Sequence, residues 1–142
     1  MLSITLATAG AAALINLWLG YRIIRIRLAN KVLYGDGGNA LLGQRMRAQL
    51  NFAEYTPIVL VLIAAIELSE GSSTLLAVAG GVYIAGRIAH AIGMDGVLPA
   101  RQIGTVITLT LTGLLGLYAL SIALLDRPAT ELAPPTPAIR QG

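Results

Sequence analysis

No cysteine occurs anywhere in the 142 residues, and histidine occurs once. The first absence excludes disulfides, thiolate metal sites and a thiol nucleophile carried by the protein itself. The second argues against a protein metal centre, which draws on several such donors. Charge is scarce as well: 12% of residues are Asp, Glu, Lys or Arg, against about 25% in a soluble domain. Apolar residues make up 56%, and mean hydropathy is +0.74. A chain of this length has too much surface to hide that much apolar material from water, so lipid is the expected solvent. No basic residue precedes the first apolar stretch, MLSITLATAGAAALINLWLG, which runs past Ala11 to Ala13 and on to Gly20 without a break. A cleaved secretion signal carries its charge before the apolar run. This stretch therefore reads as a retained membrane-spanning helix.

Four apolar segments stand out, at about 2–24, 49–68, 74–94 and 103–125. Each is close to the roughly 20 residues that cross a hydrocarbon core. Segments that cross lipid as single chains are helices, because every backbone polar group has to be satisfied internally. The expected fold is all-α: an integral membrane four-helix bundle over 1–125, followed by a proline-rich tail, 126–142, expected to be disordered. Net charge is only +3, but six of the ten basic residues lie from Arg22 to Arg47. The second connection, SEGSS, holds Glu70 and no base, and the third, DGVLPARQ, holds Arg101. Basic residues mark the cytoplasmic side. The first and third connections are thus expected inside, and the second connection and both termini outside. Taken singly, Arg22, Arg25, Arg27, Lys31 and Arg45 read as topology and anionic-lipid charges. Gly80, Gly81, Ala85, Gly86, Gly104, Gly113 and Gly116 fleck the last two spans, and small residues let helices approach closely in lipid.

The second span opens on RAQLNFAEYTP, which carries Arg47, Asn51, Glu54 and Tyr55 into an apolar run. On a helix these four occupy i, i+4, i+7 and i+8, one face. Tyr83, Arg87, His90 and Met94 share a face of the third span in the same way. With the expected topology, both sets and Arg101 fall at the cytoplasmic side. At about 1.5 Å per residue, Glu54 and Arg87 lie at similar depth and are expected to pair. Ionisable groups inside a span are costly and point to function, although an ion pair there can also be purely structural. Asn51 alone reads equally as an interhelical hydrogen bond, the tyrosines as packing aromatics, and His90 and Arg101 as a structural histidine and an interface anchor. Together they describe a basic, partly dehydrated pocket with one carboxylate. Such a pocket suits a small anionic ligand that also bears an ammonium group. Arginine grips carboxylates bidentately, and a nearby cation favours a thiolate over a thiol.

These residues carry a family resemblance. RAQLNFAEYTPIVLVL resembles the signature of the MAPEG family, the membrane-associated proteins in eicosanoid and glutathione metabolism, and is close to the pattern of its cysteinyl-leukotriene synthase branch. The likeness continues through ELSEG and VYIAGRIAHAIG and covers most of residues 14–125. It implies a four-helix bundle assembled as a homotrimer, with glutathione held between subunits near the cytosolic side. Arg47 would contact a glutathione carboxylate, Asn51, Glu54 and Tyr55 would hold the peptide, and Glu54 would take the γ-glutamyl ammonium. His90 stands where branches of the family have tyrosine or histidine. Arg25 or Arg27 would match a first-helix arginine, and Arg101 the arginine that stabilises the glutathione thiolate. Met94 departs from the pattern, standing where the leukotriene branch has a second glutathione-contacting tyrosine.

The resemblance implies a bacterial-type inner-membrane glutathione transferase or peroxidase. Glutathione would be the cosubstrate and a lipophilic electrophile or hydroperoxide the second substrate, with no metal and no nucleic acid. Two other readings stay open at this point. One is a non-catalytic membrane protein that binds glutathione or another anion. The other is a small transporter or channel subunit using Glu54, Arg87 and His90 as a relay, for which the broken helices and inverted repeats of such folds are not evident.

Overall fold

The structure, a computed structural model, describes residues 1–125. The expected disordered tail lies outside them. Four helices account for almost all of it: α1 Ser3–Asn30, α2 Ala40–Glu70, α3 Thr74–Gly93 and α4 Leu98–Leu125. All four are long and apolar enough to cross a membrane, and together they form a four-helix membrane bundle. α1 packs on α2 and α3, and α4 packs on α2 and α3, while α1 and α4 do not meet among the described residues. The α1–α2 and α3–α4 connections share one end of the bundle. The N-terminus and the α2–α3 connection share the other.

Three helices are longer than hydropathy indicates. α1 runs on to Asn30, α2 begins at Ala40, and α4 begins at Leu98. Hydropathy measures the length that crosses lipid, whereas helix length depends on backbone hydrogen bonds, which charged side chains do not interrupt. α1 and α2, of 28 and 31 residues, are about 42 and 46 Å long, against about 30 Å for α3. Their paired ends project past the α3–α4 connection as a basic hairpin. The true α1–α2 link is therefore short, and GDGGN is its turn: Gly35, Gly37 and Gly38 all have positive φ, a conformation that only glycine adopts without cost. The Asp36 carboxylate accepts from the Gly38 N–H at 3.0 Å, and the Asn39 side chain caps α2 by accepting from the Leu42 N–H. Pro99 falls within the first turn of α4, where its missing N–H costs nothing.

α1 begins without a local cap. Its first N–H groups are served from α2 instead. The Glu67 carboxylate accepts from the Ile4 N–H at 2.9 Å and the Thr5 N–H at 2.8 Å, and from the hydroxyls of Thr5 and Ser72. A carboxylate at a helix N-terminus satisfies orphan donors and complements the helix dipole. Nearby, the Tyr118 hydroxyl of α4 donates to Glu70. The last turn of α2 thus holds both helices that do not touch each other.

Apolar residues fill two clusters inside. One is Val59, Ile63, Ile66, Leu76, Tyr83 and Leu115, and the other is Ala12, Ile15, Leu19, Phe52 and Ala91. Large apolar side chains such as Leu17, Val61, Leu109 and Leu117 face outward, as lipid-facing residues do. The α3–α4 pair is the most tightly apposed. A Cβ on Gly104 would lie 2.6 Å from the His90 backbone nitrogen, and one on Gly86 would lie 2.6 Å from Ile107 Cγ2. Glycine is required here for contact between backbones. Gly104→Ala is expected to destabilise the bundle by about 1–3 kcal/mol, the range for overpacking. Gly113, whose Cβ would meet nothing within 4 Å, serves as the control: Gly113→Ala is expected to be neutral or mildly stabilising. Thermal melts in detergent followed by circular dichroism measure both.

Candidate functional site

Arg87 is the organising side chain of the connection-end half. It is 1% exposed, about 9 Å from the end of α3 at 1.5 Å per residue. Its guanidinium donates to Asn51 Oδ1 of α2 at 2.9 Å and to Thr108 Oγ1 of α4 at 3.2 Å, and it lies 5.4 Å over the Phe52 ring. The Thr108 hydroxyl donates its own proton to the Gly104 carbonyl at 2.8 Å. One turn away, Tyr83 and Thr56 share a hydrogen bond of 3.0 Å. Arg87 Nε and His90 Nδ1 are buried without a hydrogen-bond partner among the described residues.

The expected Glu54–Arg87 pair does not form. Glu54 is exposed, and Arg87 Nη1 donates to neutral partners instead. The cause is angular. At 100° per residue, the buried positions Ala48, Phe52, Thr56 and Val59 define the core side of α2. Asn51 and Tyr55 lie at the edge of that side and are half-buried, while Arg47 and Glu54 lie well away from it and are exposed. Spacing gives the shared depth correctly, but the face toward α3 belongs to Asn51. Because the Asn51 oxygen is committed to Arg87, its amide N–H₂ is left to donate elsewhere.

The remaining site residues divide between faces. An open groove of about 980 Å³ between α1, α2 and their turn is lined by Arg27, Asp36, Met46, Arg47, Gln49 and Leu50, among others. Arg27 also donates to the Leu33 carbonyl and the Met46 sulfur. Arg25 is outside this groove, exposed, with its guanidinium 5.9 Å from the Tyr21 ring. Of Arg25 and Arg27, Arg27 is the one placed beside Arg47. Arg101 stands in the first turn of α4, not in a loop, and is exposed beside a separate open groove with Leu98, Gln102, Thr105 and Val106. His90 is buried at the α3–α4 crossing. Within one chain, then, Asn51 and Arg87 meet in the core with His90 one turn further along α3. Arg27 and Arg47 share a groove, Arg101 lies on another helix, and Glu54 faces outward. Sequence spacing alone does not mark Gln49, whose side chain faces α1 beside Gly20. No group of three or more acidic or histidine side chains with metal-site geometry occurs among the described residues.

The geometry distinguishes a core polar residue from a surface one. Asn51→Leu removes the acceptor of a buried guanidinium and is expected to cost about 1.5–3 kcal/mol, the range for a hydrogen bond to a charged group. Glu54→Gln is expected to leave stability unchanged in the isolated chain. Were the two charges paired, the order would reverse. Unfolding titrations of the two variants in mixed detergent decide it.

Comparison with known proteins agrees with the fold. The chain is 33% identical over 82 residues to a protein named inner membrane protein YecN, both from Escherichia coli strain K12 and from Escherichia coli O6:H1. The match covers 58% of this chain and 63% of the relative, so the chain spans less than two thirds of the length of these curated relatives. The sequence profile described as the MAPEG family matches residues 5–121. With four membrane-length helices in one bundle and a profile match over most of its length, the chain belongs to the MAPEG family.

Proposed function

We propose that this protein is an inner-membrane glutathione transferase or peroxidase that works as a homotrimer, with the α1–α2 and α3–α4 connections in the cytoplasm. The observation that carries the reading is the outer face of α2. Arg47 and Glu54, a cation and an anion seven residues apart, are both exposed and make no hydrogen bond or ion pair among the described residues. A charge turned from an apolar span toward lipid is costly. A second copy and a zwitterionic ligand would cover both charges at once. Arg27, Arg47 and Gln49 in the α1–α2 groove, and Asn51, Tyr55, His90 and Arg101 on the α2, α3 and α4 side, face different directions within one chain. A single glutathione site that uses both sets requires contact between copies.

In this reading Arg47 and Arg27 bind glutathione carboxylates, Glu54 takes the γ-glutamyl ammonium, and Asn51 and Tyr55 hold the peptide. Arg101, the catalytic residue, stabilises the thiolate. The thiol proton passes to solvent. The sulfur then forms a bond to carbon of a lipophilic electrophile as the leaving group departs with its electron pair. With a hydroperoxide, the sulfur takes the distal oxygen and the O–O bond breaks to an alcohol. A second glutathione then gives the disulfide and water. Holding both reactants together and stabilising developing charge supply the rate.

The inner-membrane placement is supported by the name of the relatives, and the orientation by the basic projecting hairpin. A non-catalytic glutathione-binding protein is the second reading. It is favoured by Met94, whose thioether, at the end of α3, cannot donate the hydrogen bond a tyrosine would. A relay through Glu54, Arg87 and His90 is disfavoured, because Glu54 faces away from the other two.

Purified protein is expected to develop thiolate absorbance with glutathione and to conjugate a generic electrophile. Arg101→Ala should abolish the absorbance and lower turnover about 10²–10³-fold, as for loss of one charge-stabilising donor. Arg47→Ala should raise half-saturation by about tenfold or more. Equal activity in wild type and Arg101→Ala would defeat the catalytic assignment. Absence of any glutathione-dependent rise in melting temperature would defeat both glutathione readings. Stabilisation without turnover across a broad electrophile panel would leave the binding protein.

A further inference from the structure

A cluster of one carboxylate and two guanidiniums at the connection end has no part in the site described above. We infer that Asp95 is a positioning residue: with Arg22 and Arg45 it clamps the α3–α4 turn onto α1 and α2, and so fixes where Arg101 stands. The inference rests on the reading of Arg101 given under Proposed function.

Asp95 lies between α3 and α4, and its carboxylate accepts from Arg22 of α1 and from Nε and Nη2 of Arg45 of α2, the latter two at 3.2 and 3.1 Å. The arginines are tied in turn. Arg22 Nη1 donates to the Ala91 carbonyl of α3 at 3.2 Å, and Arg45 Nη1 to the Arg22 carbonyl at 3.4 Å. The side chains of Arg22 and Arg45 are only 10% and 22% exposed, and that of Asp95 29%, so solvent screens the cluster less than an open surface pair. Two helices therefore converge on the one carboxylate of the turn, and the Ala91 carbonyl ties α3 to the same arginine of α1. Bidentate geometry adds direction to the charge attraction.

The turn transmits that position to α4. The Asp95 and Gly96 N–H groups return to the carbonyls of Ile92 and Gly93, and the Arg101 N–H goes to the Val97 carbonyl. Gly93 is packed so closely on the Arg101 backbone that no Cβ would fit between them. The end of α3, the turn and the first turn of α4 therefore move as one piece. Fixing Asp95 fixes that piece relative to α1 and α2, which carry Arg27, Arg47 and Gln49. A misplacement of about 1 Å at a reacting centre can cost about a hundredfold in rate, so a group several residues from Arg101 can govern it without touching the ligand.

Two features of the chain make this testable apart from activity. Trp18 is the only tryptophan, and the Arg22 guanidinium lies 4.6 Å from its ring centroid, so Trp18 fluorescence reports on the clamp. The chain has no cysteine, so Gln102→Cys, next to Arg101 and exposed, takes a single spin label that reports motion of the first turn of α4. The experiment compares Asp95→Asn, Asp95→Glu and Arg45→Gln with the parent chain in detergent. Asp95→Asn is expected to shift Trp18 emission, loosen the label at Gln102→Cys, and lower turnover at saturating glutathione about tenfold to a hundredfold. Half-saturation should move by less than about threefold, the sign of an interaction felt at the reacting centre and not in ligand binding. Asp95→Glu should recover part of both signals, and Arg45→Gln should give a smaller shift in the same direction. Should Asp95→Asn not fold, Arg45→Gln decides, since it leaves the Arg22–Asp95 contact in place. Shifted Trp18 emission with an unchanged label spectrum and unchanged turnover would reduce Asp95 to a structural clamp and overturn the inference. If the parent chain shows neither thiolate nor glutathione-dependent stabilisation, the proposed function is what fails. The label spectrum alone then judges whether Asp95 holds the turn.

Discussion

A buried guanidinium without a counter-ion among the described residues sets the terms for this bundle. Burying a cation carries a large desolvation cost unless it is well hydrogen-bonded, and Arg87 meets that cost with neutral groups: the Asn51 oxygen, the Thr108 hydroxyl and the Phe52 ring face. Because the partners come from two other helices, the fold cannot slide one helix past another without stranding the charge. α2, α3 and α4 are thereby held in register at this level. Close approach of α3 and α4 is a precondition, since Thr108 reaches Arg87 where Gly86 and Gly104 let the backbones meet. The same bond orients the Asn51 amide, so the structural role of Asn51 and the binding role proposed for it share one side chain.

α1 is excluded from that lock and does not touch α4. Its ends are held instead. Glu67 of α2 caps the first turn, and Asp95 of the α3–α4 turn holds Arg22 near the other end of its membrane-crossing part. Between these points α1 is held mainly by packing of small and aliphatic residues, Ala12, Ile15 and Leu19. Where Thr8 meets α3, its hydroxyl is already bonded within its own helix to the Ile4 carbonyl, and Gly80 makes room for it. In lipid, apolar packing between helices lacks the driving force it has in water, so carboxylates at the two ends carry much of the specificity of where α1 lies.

Four spans are legible in the sequence because an apolar run of about 20 residues is the length that crosses a hydrocarbon core, and water offers such a run no comparable home. Their ends are not legible, because the basic extensions of α1 and α2 look like loop by hydropathy yet keep their backbone hydrogen bonds. The polar stripe of α2 is legible as a face but not as a divided one. A stripe spread over about 100° of helix contains Asn51 and Tyr55 at its inner edge and Arg47 and Glu54 at its outer edge. Only the packed neighbours show which half meets the core. Glu67 and Asp95 escape a reading of the sequence for a different reason. Each lies near a helix end where a charge is unremarkable, and each finds its α1 partner more than 60 residues away in sequence. No local spacing encodes that. A residue such as Arg87 can be recognised as buried, but not its acceptor, since Glu54 and Asn51 differ by less than one turn.

What separates Arg47, Glu54 and Arg101 from the structural polar groups is whether a side chain is already satisfied. Arg22, Arg45, Glu67, Asp95 and Nη1 of Arg87 have partners within the chain. Arg47, Glu54 and Arg101 are exposed and have no side-chain partner among the described residues. A membrane protein that satisfies its buried charges this thoroughly does not gain stability from leaving two more on the flank of an apolar helix. Their cost is offset when something outside the chain completes them. Under the proposed reading that role falls jointly to a neighbouring copy, which excludes lipid, and to glutathione, whose carboxylates and ammonium are opposite in sign to Arg47 and Glu54 respectively. Binding of the ligand and assembly of the copies then become linked: each removes part of the cost that the other leaves, so each is expected to strengthen the other.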